Sequence, residues 1–300
     1  MKIVLTGSIG HIGKPLAQIL VDKGHAVTVI SSNPDKETAI QALGAGAAIG
    51  SITDLDFLTA AFTGADLVYT MLPPENYTDQ QLDLEGRVRE VVNNYKQAIL
   101  KSGVKRVIHL SSIGAHRDTR NGLLRFHHIA ETILRELPED IQVSFMRPTG
   151  FYYNLLGYIR MIKNQGLIAA NYGADDIVSW VAPADIAAAI AEIVENPPAA
   201  NHYVRYVVSD ELSCNETATI LGKAIGIPDL QWIRISDAEM LNGLLAAGLQ
   251  PQLAKGLTEM YSQSNRAVLY EDYEQHRPAR FGKIKMKDFA KDFAVAFVKG

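Results

Sequence analysis

Six short runs rich in β-branched residues alternate with helical patterns through the first half of the chain: KIVLT (2–6), AVTVI (26–30), AAIG (47–50), DLVYTML (66–72), RVIHLSS (106–112) and QVSFMR (142–147). The helical patterns fall near residues 14–23, 35–43, 54–62, 78–102 and 121–137. Strands that alternate with helices pair in parallel through crossovers, so the order predicts βαβ units. The expected fold is α/β, a Rossmann-type doubly wound parallel sheet with helices on both faces. After about residue 148 the rhythm loosens. VSWVAPADIAAAIAEIVEN (178–196) reads as a strand and a helix, HYVRYVVSD (202–210) as another strand, and the chain from Asp237 onward as mostly helical. No linker or repeat separates the halves. Residues 1–150 are therefore expected to form the sheet domain and 151–300 a smaller C-terminal α+β lobe packed against it, with elements interleaving near the boundary and a ligand cleft between.

The first crossover carries the most specific local signal. KIVLTGSIGHIGKPLAQIL places Gly7, Gly10 and Gly13 between a strand and a helix, with His11 and Ile12 in the loop and Pro15 in the first helical turn. The spacing is G-x-x-G-x-x-G. Glycines allow a tight turn and close backbone approach, and a helix N-terminus offers free N–H groups and a positive dipole to a pyrophosphate. Residues 1–150 thus read as a dinucleotide-binding domain. The second strand ends in Ser31, Ser32 and Asn33, where an acidic residue would hold the ribose of NAD. Without that carboxylate, Ser32, Asn33 and Lys36 can donate to a 2'-phosphate, so NADP(H) is the expected cofactor and NAD(H) the alternative. Asn33-Pro34 also reads as a helix cap, and both readings can hold together.

Composition narrows the partners. The 29 basic and 33 acidic residues give a net charge of -4 without a basic run, which disfavours nucleic acid. Cys214 is the single cysteine, so an internal disulfide and a Cys-rich zinc site are excluded. No apolar stretch reaches the ~20 residues of a membrane span. A cytoplasmic protein acting on a small-molecule acceptor is expected.

The segments TGSIGHIG (6–13), GSITD (50–54), HLSS (109–112), HHIAE (127–131) and MRPTGFYYN (146–154) together resemble the NmrA-like family of atypical short-chain dehydrogenases. The resemblance covers most of the chain and is strongest to about residue 190. It implies a Rossmann-type NAD(P)-binding protein, in a family that includes quinone, azo-dye and triphenylmethane-dye reductases and also regulators without a known reaction. Ser32 departs from a common family arginine, and Gly50-Ser51 from a common Gly-Asp. Carried over by position, the resemblance puts Ser51 and Ile52 beside adenine. Ser111 and Ser112 end the fifth strand, where a doubly wound sheet opens on its ligand. Leu72 and Pro73 end the fourth, and Pro148 to Tyr153 follow the sixth, which suggests an apolar bed for the nicotinamide and a substrate wall of Ser112, Tyr152 and Tyr153.

Ordinary short-chain dehydrogenases carry Y-x-x-x-K on the helix after the fifth strand, the tyrosine acting as proton donor. With His127 at the lysine position, the tyrosine position is Leu123, which donates nothing. Around that helix Phe126, Ala130, Ile133 and Leu137 define the apolar stripe. His127 lies at its edge and faces inward, whereas His128 is expected to face water. Glu131, four residues on, is placed to pair with His127 and favour its charged form. His127 either touches the nicotinamide ribose or substrate, as the family motif implies, or is a helix-edge residue satisfied by Glu131; further ligands for a metal are not evident. A missing acid suits acceptors that spread or cancel charge, such as quinones or cationic dyes. It equally suits a redox-sensing protein that binds the dinucleotide, and a protein partner, without catalysis.

Overall fold

The computed structural model describes residues 1–299, leaving aside the side chains of residues 263–266. Its centre is a parallel sheet of seven strands: β1 (Lys2–Leu5), β2 (Ala26–Ser31), β3 (Gly46–Ile49), β4 (Leu67–Met71), β5 (Arg106–Leu110), β6 (Gln142–Pro148) and β10 (Tyr203–Val207). The strand order is β10-β6-β5-β4-β1-β2-β3. Alternation along the strands sends successive side chains to opposite faces. Ile3 and Leu5 of β1 meet Leu16, Ala17 and Leu20 of α1 (Gly13–Asp22) and Ile186 and Ile190 of α7 (Pro183–Glu195). Val4, Val68, Val107 and Val143 face the other way. They meet α3 (Leu55–Phe62), α4 (Leu84–Ser102) and α5 (Arg125–Leu134) through Phe62, Val91, Tyr95, Phe126 and Ile133. Two cores on one sheet make the fold doubly wound.

Helix boundaries differ from the sequence reading where local hydrogen bonding intervenes. Residues 35–43 split into a 3-10 turn (Pro34–Lys36) and a short α2 (Glu37–Gln41). The stretch read as helix from residue 78 begins only at Leu84, because Asp83 caps it by accepting from the Gly86 amide at 2.9 Å. Asn76 closes its own turn by accepting from Thr78. The helix expected over 121–137 is α5, preceded by a 3-10 turn at Gly122–Leu124.

The remaining elements form a second lobe: β7 (Gly150–Phe151), α6 (Ile159–Gln165), β8 (Leu167–Ala170), β9 (Ile177–Val181), β11 (Asp210–Ser213), α8 (Cys214–Ile225), β12 (Gln231–Arg234), α9 (Asp237–Ala246), α10 (Pro251–Tyr261), α11 (Gln263–Gln275) and α12 (Met286–Lys299). The lobe has its own core of Tyr152, Leu155, Trp180, Cys214, Trp232 and Phe293. A cut at residue 150 does not separate the sheets, since β10 returns to the edge of the first sheet beside β6 and α7 covers that sheet's face. Asp185 of α7 fastens the later chain by accepting from Ser209 Oγ at 2.7 Å and from the amides of Lys283 and Ile284 at 3.0 Å. Among the described residues no helix is long and apolar enough to cross a membrane.

Candidate functional site

β1 and β4 are neighbours although two strands separate them in sequence, and the sheet order reverses at that point. The glycine loop lies at this switch, where open α/β sheets bind ligands. Gly7 has φ +87°, a conformation that side-chain-bearing residues rarely adopt. Ser8 shares the left-handed region at φ 58°. Its amide donates to Ile30 O at 3.0 Å and its hydroxyl to Ser31 Oγ at 3.1 Å, which ties the loop to the end of β2. Gly13 is required by contact, since a Cβ there would lie 2.1 Å from Ser8 O. Gly10 faces open space, its nearest neighbour to a Cβ being Gly7 O at 3.8 Å.

Asp54, Asp83, Ser213 and Ser236 cap α3, α4, α8 and α9 through their side chains. The start of α1 has neither a side-chain cap nor an acidic residue in its first turn. Among the described residues, the amides of Ile9, Gly10, His11 and Ile12 have no hydrogen-bond acceptor. Uncapped amides at a helix N-terminus, with space before Gly10, can receive a pyrophosphate. The Ile12 side chain itself is in the core, so only its backbone is available there.

Around this loop the other expected contacts are distributed as follows. Ser32, Asn33 and Lys36 are exposed beyond β2, and Asn33 Oδ1 accepts from the Asp35 amide at 2.9 Å. That cap uses the oxygen and leaves Nδ2 as the donor. Ser51 is exposed with its hydroxyl 2.7 Å from Thr53 Oγ1, while Ile52 leans on the core. Leu72 and Pro73 are half-buried, Pro148 is buried, and Ser112 is half-buried at the end of β5.

The two tyrosines of the expected substrate wall part company. Tyr153 stacks on His11 with ring centroids 4.5 Å apart, and on Phe151 at 5.0 Å. The stack joins the second lobe to the glycine loop. Burial, and then Tyr77 nearby, push the Tyr153 hydroxyl up to about 12. Tyr152 is a correction to the sequence reading: it is 1% exposed, stacked on Phe289, and donates to Asp210 and Ile284 O. Tyr152 thus lies in the core of the second lobe, while Tyr153 lies against the glycine loop.

The helix histidines require two further corrections. Glu131 does not pair with His127. Its carboxylate accepts from Ser111 Oγ at 2.6 Å, from Arg147 Nε and Nη2 at 2.8 and 2.7 Å, and from Arg135 at 3.2 Å. Burial alone would raise its pKa, but the Arg147 bonds and charge, then Ser111 and Arg135, hold it below the usual carboxylate range. His128 does not simply face water: it is half-buried, with Nδ1 3.0 Å from Ala115 O. Among the described residues His127 Nδ1 is buried without a hydrogen-bond partner, and burial pushes the ring down to about 4 despite the Glu131 charge. That shift favours the neutral imidazole.

Sequence reasoning missed what lies behind these residues. Arg147 reaches on from Glu131 to Asp272 Oδ2 at 2.8 Å, and Tyr206 OH donates to the same carboxylate at 2.6 Å. The available signal was a lone arginine inside the apolar strand QVSFMRP. His109 is fully buried on β5, its Nδ1 2.9 Å from Thr70 Oγ1, and it is pushed down to about 3 by burial and then by His127. Held neutral when folded, it accepts a proton below about pH 6.5 only after unfolding. Stability is therefore complete above that pH and declines as pH falls toward the folded value. Urea unfolding should show a loss of roughly 1.4 kcal/mol per pH unit from His109 between pH 6 and 5. His109→Phe should flatten the slope by that amount; an unchanged slope would mean that His109 protonates in the folded chain.

Leu123, the residue expected at the tyrosine position, packs against α10, where a Cβ on Gly256 would lie 2.5 Å from Leu123 Cδ2. The chain's own helix covers this position. A surface cavity of about 400 Å3 opens elsewhere, on the outer side of α4 and α5 between Arg89, Arg125 and His128. None of the residues expected at the dinucleotide site lines it.

Comparison with solved structures agrees with this architecture. The chain is 21% identical to an NADPH-dependent quinone oxidoreductase from Escherichia coli, in complex with NADPH, with a TM-score of 0.74 over 97% of this chain and 99% of that one. Triphenylmethane reductase of Citrobacter sp., in complex with NADP(H), gives 20%, a TM-score of 0.72, and 97% and 99% coverage. A nucleoside-diphosphate-sugar epimerase from Staphylococcus aureus gives 17%, 0.77, and 97% and 100%. In sequence, the photosystem II assembly factor Ycf39 of Synechocystis sp. is 22% identical over 200 residues, 65% of this chain and 59% of that protein. The match thus spans about three fifths of that relative's length. The NmrA-like family pattern matches residues 1–291, and the chain belongs to the NmrA-like family.

Proposed function

We propose that this protein is an NAD(P)H-dependent oxidoreductase that reduces a flat conjugated acceptor such as a quinone or dye. The observation that carries the reading is the uncapped start of α1, with free amides at residues 9–12 and open space at Gly10. A nicotinamide dinucleotide bound there supplies the hydride. Gly7, Gly10 and Gly13 shape the seat of its pyrophosphate, with the amides of His11 and Ile12. Ser32, Asn33 and Lys36 favour the 2'-phosphate of NADP(H) over NAD(H), and Ser51 and Ile52 flank the adenine. Leu72, Pro73 and Pro148 supply apolar surface for the nicotinamide, while Ser111 and the neutral His127 address its ribose. Ser111 is held in orientation by Glu131, and Arg147 fixes Glu131 in turn. Ser112 and Tyr153 remain on the acceptor side, and Tyr152 does not.

The reductases sharing this fold, obtained with NADPH or NADP(H), support the choice of cofactor class. An acceptor that delocalises charge needs little from an acid, which suits Leu123. The test is NADPH oxidation on addition of a panel of quinones and triphenylmethane dyes. Turnover with at least one acceptor is expected; an NADPH-binding protein that oxidises it no faster than buffer throughout would sink the enzyme reading.

The packing of Leu123 against α10 favours a second reading, a redox-sensing protein that binds NADP(H) without turnover. Affinity capture with and without NADP discriminates, because a sensor must change its protein partners with the nucleotide.

A further inference from the structure

Three aromatic rings form a ladder between the lobes. Tyr153 stacks on His11 at 4.5 Å with the planes 19° apart, and on Phe151 at 5.0 Å with the planes 22° apart. Each end is anchored by its own lobe. Phe151 belongs to β7, where it pairs in register with Val181 of β9. His11 lies in the glycine loop beside Ile12, whose side chain is in the core, and Ser8 ties the same loop to β2. Among the described residues the side chains of His11 and Tyr153 make no hydrogen bond, so ring contact alone holds the ladder.

Strand order gives the ladder its position. In the sheet β4 and β5 separate β1, which leads into the glycine loop, from β6, which leads into β7. The rings therefore bridge two loops that stand on either side of β4 and β5, at the sheet edge holding the candidate site. His11 also contributes one of the amides, from Ile9 to Ile12, that have no acceptor among the described residues. The ladder thus begins at the seat of the pyrophosphate itself.

We propose that the rings of His11, Tyr153 and Phe151 are a clasp between the lobes that must part each time a dinucleotide enters or leaves. This rests on the dinucleotide-binding reading above. A dinucleotide laid from Ser32 and Lys36, beyond β2, to Ser111, at the end of β5, runs past the glycine loop and meets the clasp where its pyrophosphate reaches the free amides. A stacked aromatic pair contributes about two- to tenfold to such a closing equilibrium, enough to slow exchange and weak enough to open. Because the same stacks form before entry and after it, Tyr153 slows association and dissociation alike and leaves the affinity nearly unchanged. The clasp thereby sets how long the oxidised nucleotide stays after hydride transfer, a step that limits turnover in many enzymes.

The test is stopped-flow fluorescence of NADPH, mixed with protein for association and displaced by excess NADP for dissociation. Tyr153→Ala removes both stacks and should raise both rate constants about fivefold or more, with Kd within about twofold of wild type. His11→Ala keeps the backbone amides, removes one stack and should raise both by about twofold or more. His11 is exposed, so this variant carries the measurement should Tyr153→Ala fail to fold. Tyr153→Phe retains all three rings and should keep the wild-type rates. NADPH bound by every protein at equal rates overturns the clasp while the dinucleotide reading stands. So does faster dissociation with unchanged association, which would make the rings ordinary contacts of the nucleotide. If none of the proteins binds NADPH, the dinucleotide reading fails and the clasp falls with it.

Discussion

Arg147→Met should lower the unfolding free energy by about 3–5 kcal/mol, the usual consequence of removing one partner from a buried ion pair. Arg147 is 4% exposed and Glu131 2%, and two of the arginine's nitrogens bond the two carboxylate oxygens. A third nitrogen holds Asp272 of α11, so one guanidinium joins α5, β6 and the C-terminal helices. Methionine fills the volume but leaves Glu131 buried with only the more exposed Arg135 and the Ser111 hydroxyl. The pH dependence then changes sign at this residue. In wild type the lowered Glu131 pKa contributes stability that is present at neutral pH and lost on acidification. Without Arg147, burial dominates and the carboxyl pKa rises, so stability is lost as pH increases. The deficit should accordingly be smallest near pH 4 and largest near pH 7. Urea titrations at both pH values measure it, and Arg147→Met/Glu131→Gln should recover most of the loss. A uniform deficit at every pH would show that packing, not the stranded charge, was responsible.

Gly10→Asp should abolish dinucleotide binding while leaving the fold intact. A Cβ at this position meets nothing closer than 3.8 Å, so the loop accepts the side chain. Its carboxylate, however, stands before the free amides that a pyrophosphate would use. Two like charges ~4 Å apart at an effective dielectric near 20 repel by about 4 kcal/mol, or roughly 10³-fold in affinity. Gly13→Ala is the contrasting variant. Its methyl collides with Ser8 O at 2.1 Å, so both thermal stability and binding should fall. Fluorescence titration with NADPH beside a melting curve separates the two cases. Unchanged binding in Gly10→Asp would remove the glycine loop from the cofactor site.

Much of the site was legible in the sequence because its determinants are local. Strand-loop-helix order, the three glycines, and the alternation of β-branched runs with amphipathic stretches reflect backbone geometry within a few residues. They placed the loop at the start of α1 and Ser111 at the end of β5, but they put His128 in water, whereas it is half-buried beside Ala115 O. Side-chain partnerships were less accessible. From the sequence, Glu131 has His127 one turn away as its natural partner; in the folded chain a permanent guanidinium on the adjacent strand is available and outcompetes a neutral imidazole. Tyr152 and Tyr153 are indistinguishable as letters, and the stacking of one on His11 and the other on Phe289 depends on how the lobes meet.

The sequence by itself determined the doubly wound class and the glycine loop, because periodicity and chain reversal belong to short segments. Only the tertiary structure decided that β10 joins the edge of the first sheet, that Arg147 claims Glu131 and that α10 covers Leu123. Those outcomes pair residues far apart in the chain, and they are selected by competition among buried charges and apolar surfaces once the whole chain has come together.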